Sequence, residues 1–95
     1  KYNGYDLSRA WFDYSYDNPS IIKPKHTALY FFCIDLYHRC NQADEFLFYC
    51  RTAMEARGIR TEKEIGKTLE DLVSFGFVEI IEILTHHRNI IRLSR

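Results

Sequence analysis

The residues best equipped for chemistry are three thiols and a scatter of imidazoles. Cys33, His38 and Cys40 lie close together in the chain and offer atoms that zinc accepts. On a helix, positions 33 and 40 share a side while position 38 points away, so these three cannot close around one ion. Cys33 and Cys40 are therefore expected as small core residues. Cys50 would gain nucleophilic character at a helix N-terminus with His26 or His38 as its base, but no spacing sets either approach. Glu55, Glu62 and Glu64 fall on diverging helix faces and make no acid–base pair. Adjacent His86 and His87 are expected in an exposed turn and define no compact ligand set. Neither a glycine-rich phosphate loop nor a complete nucleophile–base constellation occurs. The expectation is a non-enzymatic domain with no catalytic residue, no metal and no cofactor.

Charge gives a sharper lead. Thirteen Lys/Arg balance thirteen Asp/Glu over 95 residues, which excludes the strong overall positive charge of a non-specific nucleic-acid binder. The distribution is uneven, however. Between positions 57 and 67, Arg57, Arg60, Lys63 and Lys67 outnumber Glu62 and Glu64, and positions 85–95 carry Arg88, Arg92 and Arg95 with no carboxylate. At physiological salt, charges more than about 8 Å apart are largely screened, so two basic patches persist in a neutral chain. The competing reading is that these charges keep helices and an edge hairpin soluble.

The elements that must position these residues follow from periodicity. Leu7, Ala10, Trp11 and Tyr14 repeat along one face of a helix over residues 6–16, and Asp17, Asn18 and Pro19 interrupt it. Pro24 suits the first turn of a second, long helix over 25–40. There Leu29, Phe32, Cys33, Leu36 and Cys40 make one apolar stripe, and Tyr30, Phe31, Ile34 and Tyr37 widen it. If part of that second surface is exposed, it supports association, and Trp11, Tyr14, Tyr30, Ile34 and Tyr37 are the candidate partner interface. Residues 46–49 read as a short strand or extended entry segment, residues 51–57 as a short helix left through Gly58. Thr61 and Glu64 have capping-box spacing ahead of a helix carrying Ile65, Leu69, Leu72 and Val73. Gly76 fits that helix's left-handed exit. Residues 77–84 and 90–93 predict a β-hairpin, in which the Ile80–Ile81 doublet calls for a bulge, a twist or a buried second face.

A mainly α chain with a small β-hairpin, ordered helix, tight connector, helix and hairpin, fits a winged helix-turn-helix with an N-terminal helical extension. The single domain over 1–95 divides into an extension (1–22), a central helix and turn (23–45), and the helix-turn-helix plus wing (46–95). Lys63 and Lys67 would face outward to phosphates, Arg57 and Arg60 would flank the connector, and Arg88 would stand in the wing.

The segments YDLSRAWFDYSYDNP, HTALYFF and TAMEARGIRTEKEIGKTLEDLVSFGFVEIIE resemble the winged-helix N-terminal domain of replication-associated proteins of phages and mobile elements. MEARGI and LVSFGF carry the structural part of that likeness. The resemblance implies duplex DNA as partner, replication initiation or maintenance of a mobile element as setting, and self-association or attachment to further domains. Lys63 and Lys67 match the outward positions of the expected recognition helix, and Arg88 lies in the expected wing, although the HHRN tip is less basic than many wings. The alternative role is homo-oligomerisation or capture of a replication or transcription protein. Three cysteines cannot pair completely within the chain, which favours a reducing, cytoplasmic setting. No apolar run reaches the roughly 18 residues of a membrane span, so no membrane is expected.

Overall fold

Asn3 begins the first helix by accepting a hydrogen bond from the Asp6 amide through its side chain at 2.8 Å, satisfying one of the donors that a helix start leaves open. The computed structural model describes residues 2–50, 52–53, 61–85 and 87–94. Helix α1 (Gly4–Asp17) buries Leu7 and Trp11 and packs Ala10 and Tyr14 against the core, as its periodicity predicts. It ends where the Asn18 side chain donates to the Tyr14 carbonyl at 2.9 Å.

Helix α2 (Pro24–Arg39) begins with proline, whose missing amide hydrogen costs nothing there. His26 reaches back to accept from the Lys23 amide at 2.9 Å. That bond assigns the ring proton to Nε2, which donates to Asp71 Oδ2 at 2.9 Å. The buried ring, with its edge on Phe75 at 5.2 Å, thus joins the start of α2 to the third helix. Beyond Cys40 the chain turns through left-handed Asn41 and Gln42 (φ 58° and 56°), and the Gln42 amide donates to the Tyr37 carbonyl at 2.9 Å, recovering a helix-end acceptor.

Strand β1 (Phe46–Tyr49) follows, resolving the strand-or-extended alternative in favour of a strand. Cys50, Thr52 and Ala53 are helical; the remainder of the helix expected over 51–57, and the exit at Gly58, lie outside the described residues. Helix α3 (Glu62–Ser74) is capped by Thr61, whose hydroxyl accepts from the Glu64 amide at 3.1 Å. Its exit uses Gly76 at φ 87°, where a side chain would be strained, with the Phe77 amide closing onto the Leu72 carbonyl at 3.1 Å.

Strands β2 (Val78–Thr85) and β3 (Arg88–Leu93) form the expected hairpin. β1 also pairs with β3, giving a three-stranded antiparallel sheet in the order β1-β3-β2. Phe46, Phe48, Val78, Ile91 and Leu93 face the core. The register shifts between Ile80 and Glu82, so Ile81 occupies a bulge and the isoleucine doublet is accommodated in one of the ways the sequence allows.

Helix α2 packs against α1, α3 and β1, which explains why its apolar coverage extends around most of its circumference. Trp11 lies at the centre, stacked on Tyr30 at 4.8 Å between centroids, edge-on to Phe77 at 5.0 Å, and donating from Nε1 to Thr27 Oγ1 at 3.1 Å. These contacts correct the expected partner interface. Trp11, Tyr30, Ile34 and Tyr37 are buried inside the chain and Tyr14 is half-buried, because α1, α3 and β1 already cover the surface they would have offered. The described residues make a mainly helical domain with three helices and a small antiparallel sheet. None of these helices is long and apolar enough to cross a membrane.

Candidate nucleic-acid interface

Helix α3 separates its two faces cleanly. Ile65, Thr68, Leu69 and Leu72 are buried, while Lys63, Lys67, Glu70 and Ser74 are exposed. These four exposed positions are spaced by four, three and four residues, so they form one stripe. Lys63 and Lys67 make no ion pair among the described residues, leaving both ammonium groups in solvent. Gly66 lies on the same side, and a Cβ built there meets no atom within 4 Å. A helical glycine costs conformational entropy without any packing return here. Gly66→Ala is therefore expected to stabilise the domain by about 0.5–1 kcal/mol, read as a raised denaturation midpoint at unchanged slope.

The carboxylates of α3 divide by partner. Asp71 is held by His26, and Glu62 by His87 Nδ1 at 2.5 Å. Glu64 and Glu70 remain exposed beside the two lysines, so the outward face is mixed rather than strongly basic.

The Glu62–His87 contact sets the geometry of the region. His87 belongs to the β2–β3 turn, and its carbonyl accepts from the Cys50 amide at 2.8 Å. Tyr49 stands opposite Arg88 in the sheet, and the Arg88 guanidinium carbon lies 4.8 Å from the Tyr49 ring centroid. The hairpin turn, the end of β1 and the first turn of α3 therefore meet. Lys63 and Arg88 are each one residue from a member of the Glu62–His87 pair. Stacking occupies the face of the guanidinium and leaves its in-plane N–H groups available to an anion.

Other expected groups are placed differently. Arg92 donates to Glu79 at 3.1 Å and lies 3.8 Å from Glu45. The Glu79 hydrogen bond, with that carboxylate's charge, raises the guanidinium pKa above its ordinary value, and the pairing narrows the basic patch expected at the C-terminal end. Arg57, Arg60, Glu55, His86 and Arg95 lie outside the described residues.

The thiols behave as packing groups. Burial pushes the Cys33 pKa up to about 12; burial and then the Glu62 charge raise that of Cys50. Both hold their proton at neutral pH and offer little thiolate. Cys40 is half-buried against the core. Both His26 nitrogens are engaged, by Lys23 and Asp71, and His38 is exposed on the last turn of α2. Among the described residues, no group of three or more His, Cys, Asp or Glu is arranged to hold a metal ion.

Sequence reasoning missed the Glu62–His87 contact and the Tyr49–Arg88 stack. The second follows from pairing β1 with β3, a long-range choice for which local pattern carries no signal. No family model, curated protein or solved structure matches the chain.

Proposed function

We propose that this domain binds duplex DNA as a winged helix, with α3 in the major groove and the β2–β3 turn against the adjoining backbone. The order of elements and the β1-β3-β2 sheet support that reading, since a winged helix needs a hairpin beside its recognition helix. The observation that carries it is the Glu62–His87 contact, because it sets the hairpin turn next to a helix whose two lysines are unpaired among the described residues. Lys63 and Lys67 would anchor phosphates or enter the groove, Arg88 would contact backbone on the wing side, and Arg57 and Arg60 would hold the duplex near the connector. Binding would need no cofactor. The setting we propose, replication initiation or maintenance of a mobile element, rests on the segments that resemble such modules.

A face on which two lysines stand beside two carboxylates should bind modestly and through few phosphates. Anisotropy titrations of a labelled duplex across a salt series test this directly. Three phosphate contacts from Lys63, Lys67 and Arg88 give a log–log slope of about −2.7, and Arg57 and Arg60 would steepen it to about −4.5. Absence of measurable duplex affinity at low salt would overturn the proposal.

A further inference from the structure

The outer face of α1 carries an aromatic stripe that is left largely in solvent, although Phe12 also meets Phe31 edge-on at 5.7 Å between ring centroids. Tyr5, Phe12 and Tyr16 are 69%, 47% and 82% exposed, and with Arg9 they repeat at i, i+4, i+7 and i+11, along one side of the helix. Tyr5, Ser8, Arg9, Phe12 and Asp13 line an open groove of about 440 Å³. Three large rings concentrated on one helical face form the kind of surface that proteins use for association.

The charges on this stripe indicate what covers it. Arg9 and Asp13 are exposed and four residues apart, yet form no ion pair with each other; the Arg9 guanidinium instead donates to the Tyr5 hydroxyl at 3.1 Å. Consider a second α1 laid antiparallel across a two-fold axis level with the Ala10–Trp11 peptide. Tyr5 then faces the copy's Tyr16, and Arg9 faces the copy's Phe12, where the guanidinium can lie over a ring. On the same flank, Arg9 comes beside the copy's Asp13, twice by symmetry. Rings meet rings and opposite charges meet, with a single patch serving both sides. A partner of one charge sign would leave either Arg9 or Asp13 uncompensated.

The geometry points to α1 as a homodimer interface, an antiparallel helix pair centred on Arg9, Phe12 and Asp13. This goes beyond DNA recognition and does not depend on it. The pair spans about 21 Å of helix at 1.5 Å per residue, a small contact, so the dimer should be reversible and concentration-dependent.

Sedimentation equilibrium of the whole chain, without DNA and over a wide concentration series, tests it. The expected result is a monomer–dimer equilibrium that Tyr16→Ser weakens by about tenfold. Arg9→Asp and Asp13→Arg should each weaken it by a similar factor, because each sets like charges together at both symmetry-related pairs. The Arg9→Asp/Asp13→Arg double variant should recover most of the lost affinity, since swapping the charges restores both cross-helix pairs. Circular dichroism verifies that α1 remains helical in every variant. A monomer at all concentrations, a dimer indifferent to these substitutions, or failure of the charge swap to rescue would each overturn the inference.

Discussion

Lys63→Glu combined with Lys67→Glu is expected to lower affinity for duplex DNA by about a hundredfold or more, while the domain stays folded. Both side chains are exposed and unpaired among the described residues, so their loss removes no internal contact. Surface changes of this kind usually shift stability by no more than about 0.5 kcal/mol. Each lost charge-assisted phosphate contact costs about 1.5–3 kcal/mol, and the two new carboxylates would join Glu64 and Glu70 to make the face repel the backbone. Loss of two contacts should also flatten the salt slope by about 1.8. Anisotropy and thermal melting of the same preparations give both readings. Unchanged affinity with an intact melt would move any DNA-binding surface away from α3.

The second large effect is on the fold. Trp11→Ala is expected to cost about 3–5 kcal/mol, a substantial share of the roughly 5–15 kcal/mol that stabilises a domain of this kind. The indole is wholly buried, stacks on Tyr30, meets Phe77 edge-on, and donates to Thr27. Truncation leaves a cavity facing both α2 and the start of the sheet, as well as a hydroxyl without its donor. A fall in melting temperature on the order of 20 °C is the expected reading. Trp11→Phe should lose less, because it preserves most ring contacts and forfeits chiefly the hydrogen bond. A loss below about 1 kcal/mol for the alanine variant would contradict the packing described.

These three residues also mark what could be read from the chain beforehand. Trp11 lies on a stripe with Leu7, Ala10 and Tyr14, and Lys63 and Lys67 lie opposite Ile65, Leu69 and Leu72; helical periodicity resolves both patterns. Thr61 and Gly76 announce helix ends because each satisfies a local backbone requirement. Three-dimensional competition for the same surface left no such local mark. Tyr30, Ile34 and Tyr37 look available on an isolated helix, and are buried only because three other elements converge on α2. The Tyr5–Arg9–Phe12–Tyr16 stripe was legible by the same period, but attention to the buried side of that helix passes over it. The Tyr49–Arg88 stack and the Glu62–His87 contact depend on strand pairing across a long stretch of chain, which residue spacing alone does not encode.

At the Ile81 bulge, β2 carries one residue that β3 does not match. Glu79 pairs with Arg92 and Glu82 with Ile90, so both glutamates lie on the side of the sheet away from the core. Excision of Ile81 would remove only the spare residue, leaving Ile80 opposite Ile91 and Glu82 opposite Ile90, so both glutamates would keep their face and the strand would lose its local bend rather than its frame. The bulge thus acts as a buffer: one residue lost from β2 beside it can be absorbed, whereas one lost from β3, whose pairing with β1 is unbroken, would carry the side chains beyond it to the opposite face.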